Sequence, residues 1–203
     1  MARQELDRTA GDLIPEGKGI LAADETVPTL TKRFATLKIE STEDSRRAYR
    51  EMFLATPDVS AFISGVILQD ETIRQKNAVG TPLVEVLSKQ GIIPGIKVDT
   101  GAKVLAGSPE ETVTEGLDRL RDRLKDYASM VARFAKWRAV IRLTDTLPSP
   151  MCVSVNAHAL ARYAALGQEQ NIVPIVEPEV LKDRVPCDRT LRGGHQFSAP
   201  FGR

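Results

Sequence analysis

At 203 residues, with 42% hydrophobic and 27% charged residues and a net charge of +1, the composition is that of one soluble globular domain, and it argues against bulk nucleic-acid binding. The segment from Met1 to Pro15 carries Arg3, Glu5, Asp7, Arg8 and Asp12 with no apolar core. It therefore predicts neither a signal peptide nor a membrane span, and the expected compartment is the cytoplasm. Cys152 and Cys187 have no Cys-x-x-Cys spacing and no ligand cluster nearby, so neither a disulfide framework, a metal site nor a cofactor is expected.

In chain order, Leu6, Ala10, Leu13 and Ile14 fall at helical spacing and predict an amphipathic helix over 3–14, closed by Pro15. Residues 17–24 read as a short strand that emerges with Asp24 and Glu25 at its end. Ser41 with Asp44, followed by Tyr49, Met52 and Phe53 on one face, predicts a helix over about 42–55. Phe62–Leu68 is the second apolar run and reads as a strand leading to Asp70 and Glu71. Pro82 near a start and Gly91 just past an end predict a helix over 82–90. The third strand is 92–98, ending in Lys97, Val98 and Asp99.

Ser108, Pro109 and Glu111 read as a helix cap, and Leu117, Leu120, Leu124, Tyr127, Ala128 and Val131 follow with helical period. The fourth strand is 134–142. Its alternation puts Phe134, Lys136 and Arg138 on one side and Ala135, Trp137 and Ala139 on the other. A helix over about 155–166 carries Asn156 and His158 as surface or packing residues. The fifth strand, 172–179, is apolar until its C-terminal end, where Glu177 and Glu179 stand two apart and so project to one side.

These strands recur every 30–42 residues or so, the length of a strand-helix unit. Each has charged residues near its C-terminal end: Asp24, Asp70 or Glu71, Lys97, Lys136 with Arg138, and Glu177 with Glu179. The pattern predicts an α/β fold of (β/α)8 TIM-barrel type with about the first five strand-helix units present. A doubly wound open sheet is the competing architecture, but no Gly-x-Gly-x-x-Gly follows any strand. The expected organisation is an incomplete barrel over 1–181 and a basic tail over 182–203. The tail has net charge +3 and is broken by Pro186, Gly193, Gly194, Pro200 and Gly202, a composition that predicts disorder. An open set of five strands keeps two unpaired apolar edges, which predicts aggregation or partial folding.

The stretches 18–25 (KGILAADE), 65–68 (GVIL), 95–99 (GIKVD), 134–138 (FAKWR), 160–164 (LARYA) and 172–179 (IVPIVEPE) resemble, in order and spacing, the class I fructose-1,6-bisphosphate aldolase family. That resemblance implies a barrel enzyme of glycolysis and gluconeogenesis. It would cleave fructose 1,6-bisphosphate to dihydroxyacetone phosphate and glyceraldehyde 3-phosphate through a lysine Schiff base, without a metal. It implies that Asp24 handles the substrate C4 hydroxyl and that Lys136 and Arg138 bind sugar oxygens and a phosphate. Lys97 would help hold the phosphorylated end, and Thr26 and Thr29 stand where the family has phosphate-contacting serines. Glu177 would be the general acid and base, and Glu179 would orient and charge-balance Lys136. The residue types suit a dianionic sugar and proton transfer.

Without the resemblance, Lys136 and Arg138 read equally well as an ion-paired network with Glu177 and Glu179, and Lys32 and Arg33 as a solvated helix face. The family's Schiff-base lysine lies on a sixth strand with a Leu-Lys-Pro-like motif, and later strands supply a serine and an arginine for the second phosphate. Here the only lysine beyond Lys136 is Lys182. The expectation is a chain that takes a sugar phosphate as ligand but forms no Schiff base. The alternative role is a non-catalytic chain that binds phosphorylated ligands, forms a homo-oligomer or associates with complete subunits. Neither nucleic acid nor a membrane is an expected partner.

Overall fold

The computed structural model describes residues 2–182. Five strands form one sheet in the order β1-β2-β3-β6-β7, every neighbouring pair parallel: β1 (Gly19–Ala22), β2 (Ile63–Leu68), β3 (Ile93–Lys97), β6 (Phe134–Leu143) and β7 (Val173–Lys182). Parallel neighbours need crossovers, supplied by α2 (Val27–Thr36), α3 (Glu43–Leu54), α4 (Asp70–Arg74), α5 (Leu83–Lys89), α6 (Leu120–Ser129) and α7 (Pro150–Glu169). Helix α1 (Ala2–Leu13) sends Leu13 against the inner face. The arrangement is the five-unit portion of a (β/α) barrel. No described helix is long and apolar enough to cross a membrane.

Two apolar layers hold it. Between sheet and helices lie Leu54, Val66, Leu68, Leu87, Ile96, Leu124, Trp137 and Tyr163. The inner face carries a smaller cluster of Leu13, Ile67 and Phe134, with Ile20, Ile93, Val173 and Ile175 around it. Strand alternation sorts the two: Val66 and Leu68 face the helices while Ile67 faces in. Trp137 is fully buried and stacks on Tyr163 of α7 at 5.5 Å between ring centroids, and its neighbour Lys136 turns to the opposite face. Phe134 lies over Gly95 of the adjoining β3 and Gly65 of β2 beyond it. A Cβ on Gly95 would come within 2.3 Å of its ring, and one on Gly65 within 2.7 Å of Leu13.

Three expectations are corrected. Residues 108–115 do not begin a helix. They form β5 (Ser108–Glu115), paired antiparallel with β4 (Gly101–Leu105). Thr112 and Thr114 are β-branched and donate their hydroxyls to Val140 and Arg138 carbonyls, which ties the hairpin to β6. Glu111 does engage a helix end, but that of α7, through the Ser149 amide and hydroxyl. Helix α7 starts at Pro150, five residues before the periodicity suggested, because Ser149 caps it by accepting from the Cys152 amide. Helix α2 spans 27–36 with Pro28 at its first turn, and Lys32 and Arg33 lie on its exposed face as the sequence reads them. Finally β7 runs on through Lys182, paired with Leu143, so the residue placed at the head of the tail is strand. The rest of the tail, 183–203, and Cys187 with it, lies outside the described residues.

Candidate active site

The C-terminal ends of parallel strands collect side chains from separate parts of the chain. Lys97 ends β3 and Lys136 is its register partner on β6, so the two amines share the inner face. Asp24 follows β1 by two residues, and Glu177 sits on β7 opposite Arg138. Lys136 Nζ stands 2.7 Å from Asp24 Oδ2 and 3.3 Å from Glu177 Oε2. The lysine is 8% exposed. Burial works against its charge, but the hydrogen bond and Coulombic pull of Asp24, and then those of Glu177, outweigh it, so its pKa is raised.

Glu179 is placed differently from its expected role. Its carboxylate lies on the Arg138 guanidinium rather than on Lys136, because Arg138 and Glu179 both stand farther along their strands than Lys136. Asp24 takes the place beside Lys136 that was assigned to Glu179. Thr26 and Thr29 bring their hydroxyls to 3.0 Å of each other at the start of α2. Thr26 makes no side-chain cap to that helix, so its hydroxyl is left to pair with that of Thr29. Thr26 and Lys97 both line a cavity of about 470 Å³ walled by Asp70, Arg74, Asp99 and Arg123.

Sequence reading missed two residues that organise this region. Asp99 has a side chain 2% exposed and holds three groups: the Lys97 amine, the Gly101 amide at 3.0 Å and the Arg138 amide at 3.2 Å. Its spacing of two from Lys97 was the available signal. Arg50 on α3 carried none, since a buried arginine inside an amphipathic helix looks like any other charged helix residue. It is 1% exposed and bonds Glu25, the residue between Asp24 and Thr26. Glu25 also takes Arg33 at 2.5 Å. Burial raises the Glu25 pKa, and the arginine contacts, led by Arg50, more than reverse this, so the net shift is downward. Asn156 is a packing residue, bonded to the Thr112 and Cys152 carbonyls. Among the described residues no group of three or more His, Cys, Asp or Glu could hold a metal ion.

The model of class I fructose-bisphosphate aldolase matches residues 5–187. The chain belongs to the class I fructose-bisphosphate aldolase family. A probable class 1 aldolase of Xylella fastidiosa is 54% identical over 201 residues, covering 99% of this chain and 58% of the relative. The cytosolic fructose-bisphosphate aldolase 6 of Arabidopsis thaliana is 50% identical over 179 residues, covering 88% and 50%. Among solved structures, the aldolase of Plasmodium falciparum in complex with TRAP and a small-molecule inhibitor is similar, with a TM-score of 0.88 at 45% identity over 90% of this chain and 53% of that one. The chain thus spans about half the length of the curated aldolases it matches. The family match also runs past Glu179, the last residue of the matching motifs.

Proposed function

We propose that these residues are the proton-handling and phosphate-holding part of an aldolase site for a phosphorylated ketose, fructose 1,6-bisphosphate by family. The observation that carries the reading is the Lys136 ammonium held between Asp24 and Glu177 at the mouth of a parallel sheet. The Lys136 ammonium orients the Asp24 carboxylate, which is placed to accept the proton of a substrate hydroxyl when carbon–carbon cleavage develops charge there. Glu177 is partly open to solvent and serves as the acid and base that exchanges protons with bound ligand. Lys97, Arg138, Thr26 and Thr29 supply cations and hydroxyl donors for the phosphate. Glu179 holds Arg138 in place. A cytoplasmic setting, which the Arabidopsis relative carries in its name, belongs to the same proposal.

Neither lysine in this site is poised as a nucleophile. An amine must lose its proton to attack a carbonyl, and Lys136 is held charged by two carboxylates, while Lys97 donates to Asp99. The 203-residue chain is therefore expected to bind the bisphosphate without forming an imine. Borohydride reduction in the presence of dihydroxyacetone phosphate, followed by peptide mapping, should leave Lys97, Lys136 and Lys182 unmodified. A stoichiometric adduct on any of them, with cleavage of fructose 1,6-bisphosphate, would show a complete aldolase in this chain.

A further inference from the structure

Arg50 is among the largest fully buried side chains, and it comes from α3, outside the sheet that carries the site. Withdrawing a guanidinium from water is strongly unfavourable unless its partners are fixed and well aimed. Here both terminal nitrogens go to one residue. Nη1 bonds the Glu25 carboxylate and Nη2 donates to the Glu25 main-chain oxygen at 2.7 Å. Nε has no partner among the described residues. Charge neutralisation needs only the carboxylate, and Arg33 already shares that from the solvent side. The bond to the carbonyl is the informative one, because it sets the plane of the peptide joining Glu25 to Thr26. On one side of this peptide is Asp24, which holds Lys136. On the other is Thr26, hydrogen-bonded to Thr29.

We infer that Arg50 is a positioning residue: by fixing the Glu25–Thr26 peptide from behind, it sets the spacing between the proton-handling Asp24 and the hydroxyls that receive a phosphate. The inference rests on the function proposed above. The fork geometry of arginine is required, since one lysine nitrogen cannot span carboxylate and carbonyl with the same alignment.

The test uses the 203-residue chain with Arg50→Lys, Arg50→Met and Glu25→Gln. Three readouts are needed: the thermal transition, the affinity for hexitol 1,6-bisphosphate, and the Lys136 side-chain signal in lysine-labelled NMR. Arg50→Lys should keep a cooperative transition, bind the bisphosphate at least tenfold more weakly and shift the Lys136 signal. Glu25→Gln removes the charge but keeps the carbonyl contact. It should retain both the affinity and the Lys136 signal, and it decides the question if both Arg50 variants fail to fold. The inference is overturned if Arg50→Lys binds within twofold of the unsubstituted chain with the Lys136 signal superimposed, or if Glu25→Gln loses both. Absence of bisphosphate binding by the unsubstituted chain refutes the proposed function instead, and the Lys136 signal of the free protein still reports on Arg50.

Discussion

Glu111 is 2% exposed, and its carboxylate accepts from neutral donors, the Ser149 amide at 2.7 Å, the Ser149 hydroxyl at 2.6 Å and the Ser108 hydroxyl at 2.8 Å. It sits behind the first turn of α7, where the helix dipole favours negative charge. The Ser149 bond is the largest influence, burial opposes it, and the net effect lowers the pKa below the usual 4.5. In the pH range between the two values the unfolded chain binds more protons than the folded one, so stability rises with pH there. The contribution is complete above the unfolded value and disappears as pH falls through the folded value. Glu111→Gln should therefore lower the melting temperature by several degrees at pH 7 and flatten its fall from about pH 5 downward. Thermal scans of both proteins from pH 3 to 7 measure this, and parallel acid limbs would mean that Glu111 is not the group responsible. The same buried thiol that neighbours Glu111, Cys152, has its pKa raised by burial and by that carboxylate, so it is an unreactive packing group.

Among the elements, β2 and β3 carry glycines beneath the Phe134 ring of β6 because the ring needs the volume their side chains would fill. An added methyl at Gly95 overlaps three ring atoms of a fully buried phenylalanine. Overpacking of this kind typically costs about 1–3 kcal/mol. Gly95→Ala should lose stability in that range by urea denaturation, and pairing it with Phe134→Leu should recover part of the loss. If the double variant is no better than the sum of the two single ones, the ring is not what the glycine accommodates. A second element-level feature bears on the expected aggregation. Val173 donates its amide to Arg133, and groups alternate sides along a strand, so Val173, Ile175, Glu177 and Glu179 face β6. Pro174, Val176, Pro178 and Val180 then face the side on which no other described strand pairs with β7. Two of the four amide donors on that edge are absent because the residues are prolines, a known means of discouraging strand addition. Replacing Pro174 and Pro178 together with valine should increase association measured by light scattering. An unchanged rate would place the sticky surface elsewhere, with β1 the other edge strand.

At the scale of the whole molecule, the five parallel strands and their crossovers were legible because parallel sheets advertise themselves in one dimension. Each strand is a short apolar run that ends in charge, and each crossover needs a helix of fixed minimum length. Strand positions and the opposed facing of Lys136 and Trp137 follow from such local patterns. The β4–β5 hairpin was not legible. Ser108, Pro109 and Glu111 carry good capping chemistry, and only docking on β6 and α7 makes the segment a strand that caps a different helix. Pairing within the site was equally hidden. Sequence spacing puts Glu177 and Glu179 on one side of a strand, but which cation each meets depends on how far β6 and β7 are offset and on where β1 delivers Asp24. Arg50 shows the limit most clearly: twenty-five residues separate it from Glu25. Hydrophobic period thus determined the five parallel strands and most of their crossover helices, and the order of the local motifs determined the family, since both rest on residues near in sequence. The ion pairs, the hairpin and the buried guanidinium were decided by the tertiary structure, because each depends on a distance between elements that no local pattern encodes.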